Sequence, residues 1–135
     1  IARVYKNIFN YYADLTGVSR EFTQIQGHDF SSRGMSGIAD STRTGAGHLT
    51  SFIGTDAISS IGYINKYYNH DKSTDVIGVS VPATEHSVMC MGGEETELDT
   101  YRNLLKQYPT GVVSIVSDTW DYWDLISNGT QIKRL

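Results

Sequence analysis

The sequence predicts an α/β fold of successive parallel strand–helix units, about half of a TIM-like (β/α) barrel. Two observations carry this. Four polar clusters, His28-Asp29-Phe30-Ser31-Ser32-Arg33-Gly34, Gly54-Thr55-Asp56, Pro82-Ala83-Thr84-Glu85-His86-Ser87 and Ser117-Asp118-Thr119-Trp120-Asp121, each close an apolar run. From Phe30 to Asp56 to His86 to Asp118 the steps are 26, 30 and 32 residues, about the length of one strand with its crossover helix. Crossovers of that length are right-handed almost without exception, so consecutive strands should lie parallel and in order. In such folds ligands bind at the carboxyl ends of the strands, which is where the four clusters fall.

The elements follow in order. Val4, Ile8, Phe9, Tyr12 and Leu15 recur at helical spacing, and Gly17 supplies the stop. Phe22, Ile25 and the residues up to Phe30 read as a first strand. Residues 35–47 are small, polar and glycine-rich, predicting a helix of modest propensity that packs closely because its side chains are small. Residues 49–53 read as a second strand, after which Thr55 caps a helix through Ile58, Ile61, Ile64 and Tyr67. Residues 76–81 form a third strand, free of charge as burial on both faces requires. Ser87 opens another helical region that runs past Leu98, Leu104 and Leu105 to Tyr108, where Pro109-Thr110-Gly111 breaks it. Residues 112–116 are a fourth strand, and Asp118 or Thr119 caps a last helix through Tyr122, Leu125 and Ile126.

At 135 residues the chain reads as a single piece, 1–135, of one barrel domain, with both ends looking cut. A formal net charge of −4 without a basic run argues against a nucleic-acid partner. No apolar run approaches the ~20 residues of a membrane span, and no signal peptide is visible. The single cysteine, Cys90, cannot pair within the chain, which points to a reducing, cytoplasmic setting. Between Met89 and Met91 it reads as buried and inert. Asn128-Gly129-Thr130 reads as a polar turn, and His48 and His70 as structural or surface residues.

The strings His28-Asp29-Phe30 with Arg33-Gly34, Phe52 with Gly54-Thr55-Asp56, Ser80-Val81-Pro82-Ala83 with Glu85-His86-Ser87, and Val113-Ser114 with Val116-Ser117-Asp118 fall in one order. In that order and spacing the chain resembles the nicotinamide phosphoribosyltransferases, which are type II phosphoribosyltransferases. The resemblance covers essentially all of the chain but only a central portion of the family's. It implies an enzyme that joins nicotinamide to phosphoribosyl pyrophosphate in NAD biosynthesis, giving nicotinamide mononucleotide and pyrophosphate. It further implies magnesium and ATP as cofactors of the full-length parent, and a homodimer. The family's phosphate-binding loops fall outside this segment, so the isolated chain is expected to be inactive and to hold no cofactor firmly.

Residue by residue, the resemblance implies that Phe30 stacks on the pyridine ring, an arrangement that suits an electron-poor ring; alone, Phe30 would read as a core residue. Arg33, whose planar fork matches oxyanions, becomes a phosphate or ribose contact rather than a solvated charge. His28 and Asp29 become wall residues of the pocket, or a structural hydrogen-bonded pair. Asp56, otherwise a plain helix cap, accepts from the carboxamide of nicotinamide and repels the carboxylate of nicotinic acid. Ser80 and Ser114 line the same slot. The resemblance makes His86 the phosphoacceptor, its ring oriented by Glu85 or by Asp118; Asp118 is alternatively a ligand of ribose hydroxyls or of magnesium-bound water. Asp118, Asp121 and Asp124 lack the glycine and terminal glutamate of a calcium loop, so no metal site is expected from them. Two other readings stand beside this one. The first is a non-catalytic βα module that binds a nucleotide or sugar-phosphate. The second is a barrel hydrolase using Asp56 and Glu85.

Overall fold

The computed structural model describes residues 1–68 and 75–127. It shows α/β architecture with short parallel pairings between consecutive strand segments. His70 and the Asn128-Gly129-Thr130 turn lie outside the described residues. The chain divides into two compact units, Ile1–Ser80 and Val81–Leu135.

In the first unit, α1 (Ala2–Thr16) ends as the sequence requires: Gly17 takes the left-handed conformation, φ 73°, and its N–H returns to the Ala13 carbonyl. The expected first strand is much shorter. Residues Phe22–Gln24 form a 3-10 helix, and only β1, His28–Asp29, is strand. Thr23 explains the difference: it is fully buried, and its hydroxyl lies 2.7 Å from both Asn10 Oδ1 and the Arg20 carbonyl, which fastens the turn to α1. The glycine-rich helix is α2, Ile38–Leu49. It reaches further than expected, taking Leu49 from the anticipated second strand, so β2 is confined to Gly54–Thr55.

β1 and β2 are parallel, with His28 opposite Gly54 and Asp29 opposite Thr55. Val79 adds a third parallel contact on the far side of β2: its carbonyl accepts from Thr55 N–H at 2.9 Å, and its N–H donates to the Ile53 carbonyl at 2.7 Å. Thr55 does not cap α3 (Ile58–Tyr67). It belongs to β2, Ala57 stands at the cap position, and the Thr55 hydroxyl accepts the Ala57 N–H at 3.0 Å. α2 lies along α3 at close range, as its small residues foretold. Thr42 Oγ1 donates to Ser59 Oγ at 2.8 Å, and Gly45 faces the fully buried Ser60. Phe52, 3% exposed, anchors the apolar side, with Phe9 edge-on and His48 stacked against its ring.

In the second unit, the segment at Pro82 to Thr84 runs parallel to the segment around Ser114. Ser114 N–H donates to the Pro82 carbonyl at 2.9 Å, and Thr84 N–H donates to the Ser114 carbonyl at 3.0 Å. α4 (His86–Cys90), α5 (Glu97–Gln107) and α6 (Tyr122–Ser127) follow. Met89, Tyr101 and Leu125 form the core, flanked by Leu98, Ile115 and Val116. Cys90 is exposed, contrary to the sequence reading. Only Met89 of its turn faces inward; one residue further along a helix is 100° away, so Cys90 turns to solvent. The cap of α6 is Asp121, not Asp118 or Thr119. Its Oδ1 accepts the Asp124 N–H at 2.9 Å and its carbonyl accepts the Leu125 N–H at 3.1 Å.

Candidate functional site

The parallel register of β1 and β2 brings the polar ends of both strands together. One step beyond the paired residues, Asp56 N–H donates to the Asp29 carbonyl at 2.8 Å, so Asp56 follows directly on the strand edge. Its carboxylate is turned away from the helix behind it, for α3 has no side-chain cap. Instead Asp56 Oδ1 accepts from Ser80 Oγ at 2.6 Å and pairs with His28 Nε2 at 3.0 Å. The Ser80 hydrogen bond is the largest influence on Asp56. Together with His28 it holds the carboxyl below its ordinary range, against an opposing push from burial. The helix-cap reading of Asp56 is thereby replaced: three strand ends converge on one half-exposed carboxylate.

Asp29 does not pair with His28. It is buried, and its Oδ1 accepts from Ser31 N–H at 3.0 Å and Ser31 Oγ at 2.6 Å. That closes the 3-10 turn Ser31–Gly34 and leaves Phe30 at its head, 66% exposed, its ring stacked on His28. The core reading of Phe30 fails on that exposure. Arg33 lies exposed on the same turn. Phe30, His28, Asp56 and Ser80 thus come together in the first unit.

A cleft of about 660 Å³ is lined by Tyr5 and Phe9 of α1, Arg43 and His48 of α2, and Phe52, together with His28, Asp29 and Ser31. Neither Phe30 nor Asp56 lines it. His48 serves structure there, its Nε2 lying 3.0 Å from the Gly54 carbonyl.

In the second unit the parallel contact of residues 83 and 114 places His86 beside Asp118, with Nε2 and Oδ1 at 3.0 Å. Both side chains are well exposed, at 65% and 69%. Of the two orienting carboxylates considered from sequence, Asp118 is the one that meets the imidazole. Glu85 stands at the cap position of α4 and accepts from the Ser87 hydroxyl. Ser114 contributes backbone pairing and an exposed side chain. Asp118 pairs with His86 and Asp121 caps α6, and among the described residues no group of three His, Cys, Asp or Glu is placed to hold a metal.

What sequence reasoning missed is the part played by His28 and the grip of Ser80 on Asp56. The signal was present: residues one strand–helix unit apart become lateral neighbours in a parallel sheet, so 28, 54–56 and 79–80 had to meet.

Residues 25–135 match the model of the nicotinate phosphoribosyltransferase (NAPRTase) family. Among curated relatives, a nicotinamide phosphoribosyltransferase of Acinetobacter baylyi is 60% identical over 128 residues, covering 94% of this chain and 25% of the relative. Proteins of the same name are 41% identical in Xanthomonas campestris, over 79% of this chain and 23% of theirs, and 37% identical in Mycoplasma pneumoniae, over 95% and 25%. The chain thus spans about a quarter of the length of these relatives. With the family's model matched over most of its length, the chain belongs to the nicotinate phosphoribosyltransferase family.

Proposed function

We propose that the chain is the segment of a nicotinamide phosphoribosyltransferase that recognises the pyridine substrate and carries an ATP-responsive histidine. The complete enzyme joins the ring nitrogen of nicotinamide to the sugar carbon of phosphoribosyl pyrophosphate, and pyrophosphate leaves. It belongs to NAD biosynthesis.

The observation that carries the reading is the Asp56 carboxylate, ionised, half-exposed and held at Oδ1 by Ser80 and by His28, on whose ring the exposed Phe30 stacks. Asp56 Oδ2 makes no hydrogen bond among the described residues, so it is available to a ligand N–H. A carboxamide offers one; a carboxylate offers only like charge. Family membership spans nicotinate and nicotinamide names, and Asp56 favours the amide. Phe30 supplies the face for the ring, and Arg33, on the adjoining turn, is the proposed phosphate or ribose contact. Ser80 keeps Asp56 in place.

His86 supports the second half of the reading. When Nε2–H donates to Asp118, the lone pair of Nδ1 is the nitrogen left to take a phosphoryl group from ATP. Glu85 shapes the start of that helix. Magnesium accompanies the reaction in the proposal, but the described residues gather no ligand set for it. We further infer half of a TIM-like barrel, a homodimer for the full-length enzyme, and a cytoplasmic setting consistent with the lone exposed thiol. No helix among the described residues is long and apolar enough to cross a membrane.

The test is Asp56→Ser in the complete polypeptide that carries these residues, read as the ratio of kcat/KM for nicotinamide and nicotinic acid. Losing one charged hydrogen bond costs roughly 1.5–3 kcal/mol, so the amide should lose about ten- to hundredfold, while the acid is relieved of repulsion. An unchanged ratio overturns the assignment of Asp56 to substrate.

A further inference from the structure

His28 touches both groups proposed to hold the pyridine. Its Nε2 lies 3.0 Å from Asp56 Oδ1. Its ring stacks on that of Phe30, with centroids 6.2 Å apart and planes inclined by 28°. It is the more enclosed partner of its pair, with a side chain 24% exposed against 51% for Asp56. Behind it the backbone has been cleared. A Cβ on Gly54 would stand 2.8 Å from His28 Nδ1 and 2.9 Å from the Gly27 carbonyl, so the ring occupies space that any other residue at 54 would fill.

The terminal torsion of an aspartate is soft, and a half-exposed carboxylate spreads over many orientations unless it is held. Ser80 fixes one point, Oδ1, at 2.6 Å, but the group can still swing about a single hydrogen bond. His28 approaches the same oxygen from a different strand and removes that swing, while Oδ2 stays free of partners among the described residues. The neutral imidazole, carrying its proton on Nε2, is sufficient for this.

We propose that His28 is the positioning residue that sets the Asp56 carboxylate relative to Phe30 and thereby determines the preference for a pyridine carboxamide over a pyridine carboxylate. This rests on the reading of Asp56 and Phe30 given above. His28 need not touch the reacting atoms; it acts through Asp56.

The test uses His28→Leu and His28→Gln in the complete polypeptide, beside Asp56→Ser. His28→Leu keeps bulk against Gly54 but has no donor, so KM for nicotinamide should rise about tenfold with kcat nearly unchanged. The amide-to-acid ratio of kcat/KM should fall with it. His28→Gln places an amide N–H near the Nε2 position and should restore most of the ratio, at a melting temperature matching that of the Leu variant. A His28→Leu ratio equal to wild type, or a Gln variant no better than Leu, overturns the proposal. If Asp56→Ser shifts the ratio and His28→Leu does not, only the role of His28 fails. If neither shifts it, the pyridine-site reading fails as well.

Discussion

Replacing Gly45 by alanine tests whether α2 and α3 meet as closely as described. A Cβ at Gly45 would lie 2.2 Å from Ser60 Oγ, 3.1 Å from Ser60 Cβ and 3.0 Å from Asp29 Oδ2. Rotating Ser60 moves its hydroxyl but not its Cβ, and Ser60 is fully buried, so the helices must part by some tenths of an ångström. Overpacking of this kind costs about 1–3 kcal/mol, and turning the Ser60 hydroxyl away from the Ser41 carbonyl adds about 1 kcal/mol. Alanine returns about 1 kcal/mol of helix propensity, leaving a net loss of about 1–3 kcal/mol. Gly47, in the same helix, provides the control: nothing lies within 4 Å of its Cβ position, so Gly47→Ala should stabilise by up to about 1 kcal/mol. Hydrogen exchange of the α2 and α3 amides in the complete polypeptide reads both as local opening free energies. Faster exchange in the first variant and slower in the second is expected. A Gly45→Ala variant as protected as Gly47→Ala would refute the close contact.

Ser80→Ala should raise the Asp56 pKa, because the Ser80 hydroxyl is the largest influence lowering it; the titration of the Asp56 carboxyl carbon by NMR reads the shift. Since the folded-state pKa of Asp56 is the depressed one, its stabilising contribution is present above the ordinary aspartate range. It is lost as pH falls through the lowered value, and the Ser80→Ala protein should show a smaller acid dependence in that window. His86→Ala should leave basal formation of nicotinamide mononucleotide by the complete enzyme in place and abolish its enhancement by ATP, read by steady-state rates with and without ATP. Stable incorporation of γ-phosphate by that variant would contradict the assignment of His86.

The helices were legible because amphipathic spacing and a left-handed glycine stop are local properties; α1 with Gly17 needed nothing beyond its own residues. The strands were over-read because an apolar run does not reveal its period. Leu49 joins α2 and Phe52 N–H bonds to the His48 carbonyl, so the run at 49–53 finishes a helix before it becomes strand. At 22–25 the deciding contact is between Thr23 and Asn10, 13 residues back, which no local pattern contains. The site was legible in position but not in detail. The 26- to 32-residue spacing forecast that residues at strand ends would meet, and both His28–Asp56 and His86–Asp118 lie at such offsets. Which carboxylate would reach His86 depended on the parallel register of residues 83 and 114, a tertiary fact. The methionines flanking Cys90 do not report its surroundings, because on a helix Met89 and Cys90 face different ways.

The proposed seat of the pyridine carboxamide is between Phe30 and Asp56, neither of which lines the cleft beside α1. Intermolecular NOEs between nicotinamide and selectively labelled phenylalanines of the complete polypeptide test it most directly. NOEs are expected from the pyridine protons to the Phe30 ring, together with a nicotinamide-dependent shift of the Asp56 carboxyl carbon that nicotinic acid does not produce. NOEs to Phe9 and Phe52, which line the cleft, with Phe30 and Asp56 unmoved, would contradict it.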